Sequence, residues 1–413
     1  MRKSREQLAT RPPARRERIL ILVENLPVPF DRRVWMEATT LRAAGYAVTV
    51  ICPQGDYLRR HEVIDGISVY RYPLPSLRGG IGHFVEYAIA VPATFLLTCL
   101  VAMREGFDVI QSANPPDLFF LVAGFFKPFG KRFVFDHHDP MPEICETRWR
   151  GWKGAVLRRL CLAAERATFF SADRVIANNQ SVREIAIARG GVESTRIAVV
   201  RSAPRKLFQP VAARVEWKRG RPFLVAYLGV MGPNDGLDRL LDAIAHVVIT
   251  RRRDDVQFVL VGAGDLYDAT VARSRELRLE DCVCFTGRVP DAEVVEVLSS
   301  ADLCVAPDPK DALNDLSSMN KIVEYMAMAK PVVAFDLREV RISADSAGMY
   351  VAGNDATAFG DAILELLDAP ERRRAMGAAG RQRFEDVLAW EHQQVALLDL
   401  YDDLFGRRGV VGA

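Results

Sequence analysis

Short apolar runs bounded by turn residues alternate with stretches of helical spacing along nearly the whole chain. In the first half the runs fall at 19–23, 47–51, 67–70, 108–110, 133–135, 174–177 and 197–200. A basic, proline-containing stretch at 204–222 interrupts the series, which resumes at 223–228, 257–261, 283–285, 303–306 and 331–335. Strand–helix alternation of this kind predicts parallel βαβ units with helices on both faces, and its restart predicts two doubly wound α/β domains. Leu237, Leu240, Leu241, Ile244 and Val248 follow the turn Gly232-Pro233-Asn234-Asp235-Gly236 at helical spacing, which predicts a core-facing helix. Beyond Phe384, the residues Trp390, Val395, Leu397, Leu398, Leu400, Tyr401 and Leu404 predict a last amphipathic helix that crosses back to the first domain. The expected boundaries are a tail at 1–17, a first domain at 18–205, a linker at 206–221, a second domain at 222–385, and a C-terminal helix and tail at 386–413.

With 413 residues, two domains of ordinary size fit better than one. Apolar residues at 49% and charged ones at 26% describe a soluble folded protein. The net charge is only +2, yet seven Lys/Arg stand against two Glu in residues 1–18, so the body is slightly acidic. Such a tail suits anionic lipid or nucleic acid, or simple solvation as a disordered segment, and no nucleic-acid motif accompanies it. The apolar run 19–23 is too short for a signal-peptide core, which leads to an expected cytoplasmic location. The seven scattered cysteines read as reduced core thiols, and Cys282 and Cys284 lack the second pair of a zinc site. The most apolar window, 84–103, approaches the length of a bilayer span, but Glu86 and Pro92 favour a buried or partly interfacial helix.

The segment 315–333 carries the strongest local chemistry. Ser317 or Ser318 is expected to cap a short helix. The amides of Ser317, Ser318 and Asn320, the helix dipole and Lys321 in the first turn together suit a diphosphate. Glu324, three residues after Lys321, shares its face and is placed to accept two ribose hydroxyls; an ordinary i,i+3 surface pair is the bland alternative.

That segment resembles the donor-site motif of the family 4 retaining glycosyltransferases. Asp31-Arg32-Arg33-Val34-Trp35, Phe135-Asp136-His137-His138-Asp139, Ala177-Asn178-Asn179-Gln180-Ser181, Leu228-Gly229-Val230-Met231-Gly232, Val261-Gly262-Ala263-Gly264-Asp265 and Phe285-Thr286-Gly287-Arg288-Val289 resemble the same family in order and spacing. The resemblance implies a GT-B fold of two Rossmann-like domains and a UDP-, GDP- or dTDP-sugar donor bound mainly by the second. It also implies transfer with retention of configuration to a saccharide or lipid-linked saccharide. Glu324 matches the second glutamate of the family's Glu-x7-Glu motif, whereas Leu316 stands at the first. The family's two diphosphate-binding cations are missing at Val230 and Asp235. Lys321, Arg288 or an arginine of the Arg32-Arg33 pair are the available replacements, and a degenerate site is the competing reading.

His138 and Asp139 follow an expected strand's carboxyl end, where open α/β sheets place ligands. By the family pattern His138 faces the donor sugar with its carbonyl or ring, and Asp139 orients the loop. A metal site is the alternative for His137-His138-Asp139, without a third ligand at helical or hairpin spacing, so no metal is assigned. Asp31 and Arg32 are candidate acceptor-side contacts on a proline-rich loop. Gly229, Gly262 and Gly264 read as close backbone turns beside the donor; Tyr267 occupies the third glycine of a dinucleotide fingerprint, so no nicotinamide cofactor is assigned. Asp308-Pro309-Lys310-Asp311 reads as a polar loop. The expectation is a metal-independent retaining transferase using Lys321 and Glu324, without nucleic-acid partners, in contact with the membrane through its tail, the 84–103 window and the cations Arg148, Arg150, Lys153, Arg158 and Arg159. A sugar-nucleotide epimerase of similar fold and a catalytically dead binding subunit are its rivals.

Overall fold

The computed structural model describes residues 16–75, 80–149, 151–204 and 206–407. Most of the basic tail, Arg150 and the side chain of Arg148 lie outside the described residues. The chain divides into two compact units, residues 1–201 with 393–413, and residues 202–392. The segment 206–221, expected as a linker, counts with the second unit.

In the first unit, strands β1 (Arg18–Leu22), β2 (Ala47–Pro53), β3 (His61–Ile64), β4 (Ile67–Tyr72), β5 (Val109–Ala113), β6 (Arg132–His137), β7 (Arg174–Ala177) and β8 (Ile197–Val199) form one sheet in the order β3-β4-β2-β1-β5-β6-β7-β8. Only β3 runs antiparallel, against β4. It escaped the hydrophobic reading because it is a half-exposed edge, with His61 and Val63 facing solvent. The helices that matter for the site here are α1 (Arg32–Ala43), α2 (Gly80–Arg104), α3 (Met141–Arg148) and α4 (Gly151–Ser171).

Six parallel strands make the second unit: β9 (Phe223–Leu228), β10 (Val256–Val261), β11 (Val283–Gly287), β12 (Leu303–Ala306), β13 (Val332–Phe335) and β14 (Gly348–Val351), ordered β11-β10-β9-β12-β13-β14. Successive residues of each strand serve opposite layers, as strand geometry requires. Val225, Tyr227, Phe258, Leu260 and Val333 pack with α5 (Leu237–Ala245); Leu224, Ala226, Val259, Cys304 and Val332 pack with α6 (Asn320–Ala327). The expected stripe on α5 is in place, with Leu237, Leu240, Leu241 and Ile244 buried and Val248 packed against them. The unforeseen β14 is a short, mostly half-buried strand whose glycine start carries little apolar signal.

The last helix, α7 (Trp390–Leu404), enters the first unit from Gln393 onward. Tyr401 packs on Tyr46 at 5.7 Å between rings, and Arg174 donates to Asp403 at 2.6 Å. The Tyr401 hydroxyl is buried and donates to Gln111 Oε1 at 2.6 Å, and Gln111 Nε2 donates to Glu37 at 2.6 Å. Tyr401→Phe removes a donor from a buried acceptor and is expected to cost about 1–3 kcal/mol. Thermal unfolding of the full chain checks this; an unchanged first-unit transition would remove the bond from the docking of α7.

Candidate functional site

Strand order reverses between β9 and β12 in the second unit and between β1 and β5 in the first, and open α/β sheets leave a ligand crevice at the carboxyl ends of such neighbours. Every predicted site residue except Asp31, Arg32 and Arg288 lies close to one of these two places.

In the second unit, Gly229 leaves β9, Asp308 lies two residues beyond the end of β12, and α6 carries Lys321 to Asp308. Lys321 Nζ donates to Asp308 Oδ1 at 2.7 Å and Oδ2 at 2.9 Å, and stands 3.6 Å from Asp235 Oδ1 and 4.9 Å from the centre of the Tyr227 ring. Burial pulls the lysine's pKa down, but Asp308, Tyr227 and Asp235 outweigh it and hold the pKa above its ordinary value. Asp235 is pushed upward, first by burial and against the pull of Lys321. Lys321 therefore carries a firm positive charge already met by carboxylates. This revises the reading of 308–311 as a polar loop: Asp308 is buried because it is the counter-ion.

The expected serine cap is also revised. α6 starts at Asn320, and Met319 at its N-cap supplies no side-chain hydrogen bond. Ser317 Oγ instead donates to the Leu313 carbonyl at 2.8 Å, completing a short 3-10 turn over Asn314–Leu316 that delays the helix. Ser318 Oγ is buried and has no hydrogen-bond partner among the described residues. Glu324 lies buried one turn after Lys321. The glycines answer to backbone crowding. Gly262 has φ +135°, and a Cβ there would run into the Gly229 carbonyl; at Gly264 it would stand 2.7 Å from the Met231 carbonyl oxygen. Arg288 is exposed just beyond β11, two strands from the reversal.

The first unit's crevice encloses about 470 Å³ and is lined by Glu24 and Asn25 after β1, Pro115 after β5, and Asp139 after β6. Asn114 clamps the last loop: its Oδ1 accepts from the amides of His138 (2.6 Å) and Asp139 (3.2 Å), and its Nδ2 donates to the Asp139 carbonyl at 2.7 Å. The His138 carbonyl, expected toward a sugar, accepts from Asn178 Nδ2 at 2.7 Å. Its ring Nε2 lies 2.6 Å from Asp136 Oδ2 and 2.7 Å from Arg33 Nε. His137 is a core residue, stacked on Phe135 with its pKa pushed down to about 3, chiefly by burial, and so stays neutral.

Asp31 caps α1 by accepting from the Val34 amide at 3.0 Å, and Arg32 is exposed. Arg33 turns inward, donating to Asp136 Oδ1 at 2.9 Å and to the Val200 carbonyl at 2.7 Å. Its guanidinium is thus engaged within its own unit. Glu37, Asp136 and His138 place ligand atoms within 4.8 Å of one another, but Arg33 already supplies the cation that this cluster holds.

Sequence reasoning missed Glu24 and Asn114, and gave Arg33 and Asp308 other roles, a diphosphate cation and a polar loop residue. For Glu24 the signal was a carboxylate directly after an apolar strand; for the others only the fold reveals the partner. Burial, then the nearby Glu86, push the Glu24 pKa up to about 8.

Residues 31–203 match a family model described as "Glycosyl transferase 4-like domain", and residues 222–369 one described as "Glycosyl transferases group 1". Two sheets with these strand orders are the GT-B class, and the sucrose-phosphate synthase of Thermosynechococcus elongatus superimposes with a TM-score of 0.77 at 20% identity, over 95% of this chain and 100% of that one. The chain belongs to the family 4 glycosyltransferases. A GDP-mannose-dependent monoacylated alpha-(1-6)-phosphatidylinositol monomannoside mannosyltransferase of Corynebacterium glutamicum is 32% identical, over 38% of this chain and 42% of that protein, so the match spans less than half of that relative. An "MMP alpha-(1->4)-mannosyltransferase" of Mycolicibacterium hassiacum is 28% identical over 76% of each chain.

The raised Glu24 has a signed consequence. An unfolded chain releases this proton near 4.5, whereas the fold keeps it to about 8, so its contribution to stability falls as pH rises through that window. Glu24→Gln removes the titration. Its melting temperature relative to wild type is expected to rise between pH 5 and pH 8, by about 5 °C if ~2 kcal/mol of the linkage is realised. Melting curves that stay parallel across this range would overturn the assignment.

Proposed function

We propose that the protein moves a sugar from a nucleotide-diphosphate sugar to a saccharide or lipid-linked saccharide acceptor, with retention of configuration. The observation that carries this reading is the junction of β9, β12 and α6, where the unpartnered Ser318 hydroxyl just precedes α6 and Lys321 and Glu324 lie on its first turns, inside the region matched to the group 1 transferases. A helix start beside a fixed cation favours the departing nucleoside diphosphate, where negative charge develops during transfer. Glu324 is the acceptor of hydrogen bonds from the donor ribose. GDP-mannose is the donor to try first, since the Corynebacterium relative is described as dependent on it.

A second reading has its own support. Asp308 and Asp235 already answer Lys321, and Val230 and Asp235 stand where the family keeps cations, which fits a nucleotide-sugar-binding subunit without turnover. The relatives above give the epimerase reading no support.

The protein works peripherally at the cytoplasmic membrane face. Supporting this are the apolar segment Phe84–Arg104 of α2, of which only 22% of the most apolar window is buried, and the exposed Leu96, Met103, Trp152 and Leu160. Lys153, Arg158 and Arg159 lie on the same face-forming helix α4, and several cations near anionic lipid add about 1 kcal/mol each.

Two measurements test these statements. Glu324→Gln is expected to weaken donor binding and turnover roughly ten- to a hundredfold, the value of one charged hydrogen bond, in a protein that still folds. Unchanged kinetics would take Glu324 out of the site, and tight binding with no turnover in wild type would favour the binding subunit. For the membrane, co-sedimentation with anionic vesicles should be strong at low salt, weaken with salt, and weaken further on deletion of residues 1–17; no binding at low salt would end the idea.

A further inference from the structure

A second cavity of about 480 Å³ opens on the first unit between α2 and α4. Ala88 and Val91 of α2 face Leu157, Leu160 and Ala164 of α4 across it. Phe84, Tyr87 and Met141 line both this groove and the polar crevice that holds Glu24 and Asp139, so the two spaces lie side by side and share a wall. One end of the pair is therefore lined by carboxyl groups and the other by hydrocarbon.

We infer that this groove receives the hydrocarbon chain of an amphipathic acceptor whose sugar headgroup sits in the Glu24–Asp139 crevice. The inference rests on the glycosyl-transfer reading above and specifies its acceptor as a glycolipid. Three features favour that occupant. The groove and the crevice adjoin along Phe84, Tyr87 and Met141, so a molecule with a polar and an apolar end can place one in each. Protonated Glu24 suits neutral hydroxyls, and the carboxylates of Glu86 and Asp139 around the same crevice repel a bare phosphate headgroup. The helix that supplies Leu160 to the groove, α4, also exposes Trp152, Lys153 and Arg159, the mix of aromatic and cationic side chains that suits lipid headgroups. A protein partner would need matching polar contacts along the groove; the only charged group among its lining residues is Asp117, which is buried and accepts from Asn114 at 2.8 Å.

The test uses the full chain and glucosides bearing methyl, octyl and dodecyl chains below their micelle concentrations, followed by quenching or enhancement of tryptophan emission. Full burial of a methylene is worth roughly fourfold in affinity, and a half-covered chain keeps about half of that free energy. Binding should therefore tighten roughly tenfold from octyl to dodecyl. Ala88→Glu and Leu160→Glu, both at exposed positions that the fold tolerates, should abolish the chain-length dependence, while Val395→Glu, an exposed apolar position outside the groove, should leave it intact. Equal affinities for octyl and dodecyl glucosides, or a dependence that survives both groove substitutions, would overturn the inference. Calorimetric titration of the same variants with GDP-mannose reads the donor site separately. Donor binding without chain-length dependence sinks the groove alone, and chain-length dependence without nucleotide-sugar binding sinks the transferase reading alone.

Discussion

The first unit is organised around one buried charge pair, Arg33 with Asp136. Both side chains are almost fully withdrawn from water, where an unpaired ion would cost several kcal/mol. Glu37 adds no third charge: burial, together with the negative Asp136, pushes its pKa well above the ordinary range and keeps it protonated. Arg33 thus faces the Asp136 carboxylate, and further contacts tie the pair to its surroundings. Through them the pair reaches α1, which carries Arg33; β6, which carries Asp136; the Val200 carbonyl at the end of β8; and, by way of Glu37, Gln111 and Tyr401, the C-terminal helix. The ring of His138 closes against the same pair. Removing either partner strands the other charge in the core, so the geometry of the loop after β6 is tied to the docking of a helix that arrives some 260 residues later in sequence.

Most of the architecture was legible because parallel strands buried on both faces read as continuous apolar runs. The strands that escaped, His61–Ile64 and Gly348–Val351, are both incompletely buried and open on a polar residue or a glycine, so that little apolar signal marks them. The site was legible at Lys321, Glu324 and the His137–Asp139 loop, where residue type and position after a strand or at a helix start carry the chemistry. It was illegible wherever a partner distant in sequence decides the role. Arg32 and Arg33 look alike in sequence, and only the inward face of α1 separates a solvent cation from a core ion. Asp308 resembles any loop aspartate until Lys321, thirteen residues on, is seen to close on it. Ser317 and Ser318 satisfy the rule for a helix cap, but the Asn314–Leu316 turn takes the first and the helix starts after the second.

The two strand reversals occupy equivalent places in their sheets and are built with different electrostatics. In the second unit a lysine stands against Asp308 and Asp235, with the rising pKa of Asp235 showing how closely that cluster is balanced. The first unit has instead an acidic crevice in which Glu24 keeps its proton and can both donate and accept hydrogen bonds. Equivalent backbone topology thus serves different ligand chemistries, because the residues after the strands, and not the strands, set the charge.

The same logic explains α2, whose composition approaches that of a membrane span. Glu86 and Pro92, which argued against a span, both have a place in the fold: Glu86 lines the acidic crevice and Pro92 lines the apolar groove next to it. Thr94 and Thr98 point into the core, with Thr98 donating to the Thr94 carbonyl at 2.7 Å, while Leu96 and Met103 remain in the open. Ala90 and Val101 are buried beside the two threonines, so α2 carries apolar residues on its outer side as well as its inner one. The wall of Phe84, Tyr87 and Met141 sets that outer side next to the acidic crevice, so one helix borders both an apolar and a polar space.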